Sequence, residues 1–233
     1  MDALPLIALD GPSGVGKSTT AKAVAAQLGW DYLDTGAMYR SVALAALRAG
    51  LRPGDPGFPG LLAGLELRQG GGRFELNGED VSEAIRAPEV TALVSPLSAD
   101  PSVREALVAQ QRAIGARGRF VVDGRDIGTV VFPQACCKVF LTASVAARAR
   151  RRFLELQAKG VPATEAEVAA DLAARDLGDS TRAVAPLRRA EDAWELDSSG
   201  LDLPAVVSAI VERHRAHGPE RSMTNQTGGS APA

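Results

Sequence analysis

Apolar positions along the chain fall into two periods. Short continuous runs at residues 4–10, 120–123 and 138–141, with shorter stretches at 30–33 and 194–197, suit strands buried on both faces of a sheet. Between them the apolar residues take helical spacing. Ala21, Val24, Ala25 and Leu28 mark one face of a helix over 18–28, and a second helix covers 38–49. Residues 89–114 read as helical with a break near Asp100-Pro101, 145–158 as a strongly basic helix, and 165–176 as a helix with loop on both sides. Leu203, Val206, Val207, Ile210 and Val211 mark a closing helix. Strands alternating with helices predict an α/β fold: a five-stranded parallel sheet flanked by helices. Ligands of such folds sit at the carboxyl ends of the strands.

Residues 65–86 break this rhythm. Leu65-Glu66-Leu67 and Phe74-Glu75-Leu76 alternate apolar and charged residues, Gly70-Gly71-Gly72 separates them, and Asn77-Gly78 is a hairpin turn signal. A small antiparallel insertion is predicted here. The Gly- and Pro-rich residues 50–60 are expected to be a loop, Asp34-Thr35-Gly36 a turn, and the chain from Gly218 onward a disordered tail.

The first strand leads into Gly11-Pro12-Ser13-Gly14-Val15-Gly16-Lys17-Ser18, which matches G-x-x-x-x-G-K-[ST] at every fixed position. Glycines let backbone N–H groups turn toward phosphate oxygens, and the helix that follows adds the positive end of its dipole. Lys17 can reach the outer phosphates, and the Ser18 hydroxyl can ligate Mg2+. Strand before and helix after are both present, so the fold narrows to a phosphate-loop NTPase that binds a nucleoside triphosphate.

Composition sets limits on this picture. The chain has 233 residues and 45% apolar content, enough for one α/β domain with insertions. Net charge is −2, which argues against a nucleic-acid binder. No run is long enough to span a membrane, and Met1-Asp2-Ala3-Leu4-Pro5 lacks the basic start of a signal peptide, so a cytoplasmic protein is expected. Cys136 and Cys137 are adjacent and read as small apolar residues entering a strand. The cations are almost all arginine: only Lys17, Lys22, Lys138 and Lys159 are lysines, and none lies in the Asn-Lys-x-Asp segment of guanine-specific switches.

The remaining chemistry lies at strand ends. Asp34-Thr35-Gly36-Ala37-Met38-Tyr39-Arg40 follows the second strand, and Asp123-Gly124-Arg125-Asp126 follows a fully apolar one. Asp123 is placed like the acid that helps hold Mg2+ in phosphate-loop enzymes. Arg175-Asp176-Leu177-Gly178-Asp179-Ser180-Thr181-Arg182 interleaves arginines with acids. With Arg148, Arg151 and Arg152 it suits a mobile basic flap that closes over phosphates and excludes water. Taken alone, these features leave open a kinase for a non-nucleotide acceptor.

Residues 11–19, 34–40, 123–133 and 175–187 together resemble the bacterial cytidylate kinase family, in order from about Ile7 to Leu201. The resemblance implies a nucleoside monophosphate kinase that converts CMP or dCMP plus ATP to the diphosphate, with Mg2+. It implies one kinase domain over residues 1–217, a monophosphate-binding insertion at about 36–105 and a flap at about 148–185, acting as a monomer without nucleic-acid or membrane partners. Carried over position by position, Ser95, Arg104 and Asp126 would contact the cytosine base. Asp179 would hold the sugar hydroxyls, and Thr35 would lie beside CMP. Arg40, Arg125, Arg175 and Arg182 would contact phosphates. Residues Gly11, Pro12, Ser13, Gly14, Val15, Gly16, Lys17, Ser18 and Thr19 would bind ATP, with Arg148 against its base and Arg152 near its phosphates; Ser18 and Asp123 would hold the metal.

Overall fold

The computed structural model describes residues 4–217, so the tail expected from Gly218 onward lies outside the described residues. Five parallel strands form the main sheet: β1 (Leu4–Asp10), β2 (Asp31–Asp34), β6 (Phe120–Gly124), β7 (Ala135–Thr142) and β8 (Trp194–Asp197), in the order β2-β6-β1-β7-β8. All five expected strands are present. The unbroken apolar run of β1 is explained by its surroundings. Leu6 and Ala8 face one core with α2 (Thr35–Ala49), α4 (Pro88–Ala99) and α5 (Pro101–Gly115). Ile7 and Leu9 face the other with α1 (Lys17–Leu28) and α8 (Leu203–His217). Both faces of the strand are covered, so polar alternation has no place in it.

Between α2 and α4 the chain makes α3 (Phe58–Ala63) and a three-stranded antiparallel sheet of β3 (Leu67–Gly70), β4 (Arg73–Leu76) and β5 (Glu79–Asp80). Asn77 and Gly78 take φ of 52° and 83°, the hairpin geometry their types predict. A 3-10 turn at Ala84–Arg86 leads into α4. Gln69 of β3 reaches the free edge of β2: its Oε1 accepts from Asp34 N at 3.0 Å, and its Nε2 donates to Tyr32 O at 2.9 Å.

The third unit is the hairpin of α6 (Val145–Ala158) and α7 (Glu165–Thr181), whose own core is only Ala149, Val168 and Leu172. The capping box of Thr164 with Glu167 starts α7.

The first strand of the insertion, expected over residues 65–67, is instead β3, Leu67–Gly70, because the turn needs only Gly71 and Gly72, at φ 57° and 80°, and leaves Gly70 to pair with Arg73. Three further boundaries differ from expectation. Asp34 is an N-cap whose carboxylate accepts from Ala37 N at 2.7 Å, so helix replaces the turn expected after it. The segment expected as loop up to residue 60 ends in α3, because buried Phe58 and Leu62 anchor a helical turn against α2. Helix α7 runs five residues beyond 176, to Thr181, because Ser180 and Thr181 bond back to the carbonyls of Asp176 and Leu177. Arg175, Asp176 and Asp179 therefore project from a helix rather than a loop.

Candidate active site

The phosphate loop joins β1 to α1. Gly11 has φ 152°, and a Cβ there would lie 2.1 Å from the Leu141 carbonyl oxygen of neighbouring β7, so only glycine fits. Lys17 opens α1, and its ammonium donates to the loop carbonyl of Pro12 at 2.7 Å. The residue is 6% exposed. Burial, and then the charge of Arg125, hold its pKa well below the ordinary lysine range, against the pull of Asp123 and Asp10.

Strand register lines up three acids. Asp34 on β2 pairs with Asp123 on β6, and Asp10 on β1 pairs with Gly124. Asp123 is a hub. Its Oδ2 accepts from Ser18 Oγ at 2.8 Å, its Oδ1 from Tyr32 OH at 2.7 Å, and its backbone carbonyl from Thr35 Oγ1 at 2.7 Å. Burial, and then Asp34, raise the Asp123 pKa to about 6. A hydroxyl and a carboxylate side by side at a phosphate loop are hard oxygen donors that suit Mg2+. Among the described residues no group of three or more His, Cys, Asp or Glu could hold a metal alone.

The acceptor side begins at Gly124, where a Cβ would meet Ile127 Cδ1 at 2.7 Å and Thr35 Oγ1 at 2.8 Å. Glycine there leaves room for Ile127 and Thr35 to pack against the end of β6. Arg125 Nε bonds Asp179 Oδ2 of α7 at 2.6 Å. Asp126, buried, accepts from the guanidinium of buried Arg104 and from Arg182 Nη2 at 3.3 Å. Arg104 also reaches Tyr39 OH at 3.2 Å. Arg40 bonds Asp34 at 3.1 Å and lines a cavity of about 480 Å3 with Ser18, Thr19, Lys22, Asp34 and Arg86.

The flap is docked onto the phosphate loop. Asp176 Oδ1 accepts from Ser13 N at 3.1 Å, and its Oδ2 from Arg148 Nη1 at 2.6 Å. Arg148, 4% exposed, donates as well to Ser13 O at 2.9 Å and Ala143 O at 3.0 Å. The backbone N–H and C=O of Ser13 are thereby held by one ion pair. Arg148, expected against the ATP base, has its Nε and Nη1 bonded inside the protein.

Of the residues expected at the site, nine gather in neighbouring groups that make up the cluster: Ser18 and Thr35 on Asp123, Arg104 and Arg182 on Asp126, Arg125 on Asp179, and Lys17, whose ammonium feels the charges of Asp123, Arg125 and Asp179. Arg175 lies exposed on α7, its basicity lowered by partial burial and by the charge of Arg125. Arg152 pairs with Glu155 at 3.0 Å on the surface. Ser95 is not brought to the cluster: its side chain is exposed on α4, and its carbonyl accepts from Ser98 Oγ. Tyr32 and Gln69 were not legible as site residues, since each acts through tertiary geometry; Asp176 was read within the flap segment, but not its partners Ser13 and Arg148. Asp10 did carry a signal, an acid ending an apolar strand directly before the loop.

This cleft offers placed charge and no paired nucleophile and base, which is what a phosphate-loop phosphotransferase needs. The comparisons narrow that class. The chain belongs to the cytidylate kinase family, whose model, described as cytidylate kinase, matches residues 7–216. It is 50% identical over 220 residues to "Cytidylate kinase" of Geobacter sulfurreducens, covering 91% of this chain and 94% of that protein. It is 51% identical over 231 residues to "Bifunctional pantoate ligase/cytidylate kinase" of Parasynechococcus marenigrum, of which it spans about half: 96% of this chain and 46% of that one. Among solved structures it is similar to a shikimate kinase from Bacteroides thetaiotaomicron at 14% identity and TM-score 0.48, over 92% of this chain and 98% of that one. None of the described helices is long and apolar enough to cross a membrane.

Proposed function

We propose that this protein transfers the γ-phosphoryl group of ATP to CMP and dCMP, giving CDP and dCDP. The observation that carries the reading is the buried Asp126 carboxylate, set between Arg104 and Arg182 at the end of β6 and joined through the sheet to the phosphate loop. A carboxylate only accepts, and the exocyclic amino group of cytosine only donates, so the pair is complementary where a uracil carbonyl is not.

The loop amides and Lys17 hold the outer phosphates of ATP. When bound at Ser18 and Asp123, Mg2+ offsets charge on the phosphate oxygens. Arg40, Arg125, Arg175 and Arg182 gather the acceptor phosphate and the charge that develops in flight. Asp179 takes the sugar hydroxyls while bonding Arg125. The acceptor oxygen is already anionic, so no general base is required, and the rate comes from positioning and electrostatics. Closure of the α6–α7 flap keeps water from accepting the phosphoryl group.

In this reading residues 1–217 act as one cytoplasmic, monomeric kinase domain, with an acceptor-binding insertion at about 36–105 and a flap at about 148–185. A coupled assay with ATP, Mg2+ and each nucleoside monophosphate tests the assignment. CMP and dCMP should turn over fastest; faster turnover of AMP, GMP or shikimate would overturn it.

A further inference from the structure

No role above uses the side chain of Asp10, yet it is 5% exposed and makes two strong bonds. Its Oδ1 accepts from Ile127 N at 2.8 Å and its Oδ2 from Gly128 N at 2.7 Å. These are the first two amides of a π-helical turn, Ile127–Val131, that follows Asp126. The leading N–H groups of a helical turn have no partner inside it, and Asp126, the N-cap, offers no side-chain bond. Asp10 therefore caps this turn from a different strand. The far end of the turn closes on Asp126 itself, whose carbonyl accepts from Val130 N and Val131 N. The backbone of Asp10 is fixed in turn by pairing with Gly124 on one side and Phe140 on the other.

Burial of this carboxylate is costly and pushes its pKa up to about 6, with Lys17 offsetting and Asp126 opposing its charge. A neutral amide would avoid that cost but has a single acceptor oxygen, where Ile127 N and Gly128 N each take a separate one.

We propose that Asp10 is a positioning residue for base recognition: it anchors the turn that aims Asp126, and so couples the start of the phosphate loop to the corner that reads cytosine. The inference rests on Asp126 meeting the cytosine amino group. It predicts that loosening the turn harms acceptor selection and changes ATP binding little, because the β1 backbone that sets Gly11 is held by its own strand pairing and the charge of Asp10 acts on Lys17 less than burial, Arg125 and Asp123 do.

The test uses two variants of the full chain. Asp10→Asn keeps the shape but turns an N–H donor toward an N–H donor. Gly128→Ala approaches the same contact from the acceptor side, its Cβ lying 3.4 Å from Asp10 Oδ2 and 3.2 Å from Lys138 Cδ. Asp10→Asn should raise KM for CMP about tenfold and lower the CMP-to-UMP preference by a similar factor, the effect of one lost bond to a buried charged group. KM for ATP should stay within about twofold, and Gly128→Ala should shift the same quantities about threefold. A parallel rise in KM for ATP and CMP, or an unchanged CMP-to-UMP preference, would overturn the inference. If Asp10→Asn does not fold, Gly128→Ala decides by the same criterion. Wild-type protein without a preference for CMP would instead sink the reading of Asp126 itself, so the two failures are distinct.

Discussion

Asp176→Asn tests how the flap is held. Helices α6 and α7 share a core of only three buried residues, each worth about 1–3 kcal/mol on burial, so polar contacts to the phosphate loop carry a large share of the docking. The substitution keeps one acceptor for Ser13 N at its 3.1 Å position but removes the charge opposite Arg148. Breaking a fully buried pair costs about 3–5 kcal/mol. Here the Asp176 side chain is 22% exposed, and Arg148 keeps the carbonyls of Ser13 and Ala143, so the cost should approach a single bond to a charged group, about 2 kcal/mol. That corresponds to about a thirtyfold rise in flap opening. Amide hydrogen exchange reads it directly: protection within α7 should fall about thirtyfold while β1 and β6 exchange as before. Turnover should fall as the closed state becomes rarer. Unchanged exchange in α7, or an equal loss across the central strands, would refute the view of this ion pair as the flap's anchor.

Three further outcomes follow from the site. Gly11→Ala sets a Cβ 2.1 Å from the Leu141 carbonyl and should abolish ATP binding and lower Tm by several degrees; a variant that binds ATP normally would contradict the close approach. The Asp123 carboxyl is raised to about 6 from an ordinary 3.8, so the folded protein holds a proton that the unfolded chain releases. Its contribution to stability is therefore present below about pH 4 and lost as pH rises through about 6, while Mg2+ requires the ionised form. The Mg2+ concentration giving half-maximal rate should rise as pH falls below about 6, which titrations at pH 5.5 and 7.5 would measure, and Asp123→Asn should lose that dependence. Arg175→Ala should lower turnover by about a hundredfold with ATP binding within twofold, measured by steady-state kinetics and calorimetry.

The sheet and the phosphate loop were legible because each rests on local pattern. The apolar run of residues 4–10 and the glycines after it need no distant information to be read. Asp123, Arg125 and Asp126 were legible from their place after a buried strand. The extent of α7 was not, since Gly178, Ser180 and Thr181 are poor helix formers, and only the last two are held by side-chain bonds back to the helix carbonyls. The role of Arg148 was invisible for another reason: an arginine on a basic helix reads as a solvated cation, and only the approach of Ser13 and Asp176 from elsewhere in the chain buries it. Ser95 marks the reverse case, a residue carried over by position alone, outside every quoted motif, that lies exposed on α4.

Gln69 ends the main sheet with a single side chain. Strand β2 has β6 on one side only, and an unpaired edge is a template on which another chain can add as a strand. The Gln69 amide presents a C=O beside an N–H as a peptide group does, and it consumes the Asp34 N–H and the Tyr32 carbonyl that such a strand would need. The insertion thus guards the sheet against self-association at the place where the acceptor site starts. The same two bonds tie the small sheet to the first residue of the Asp34–Arg40 segment, so a swing of the insertion must either carry the start of α2 with it or leave the edge open.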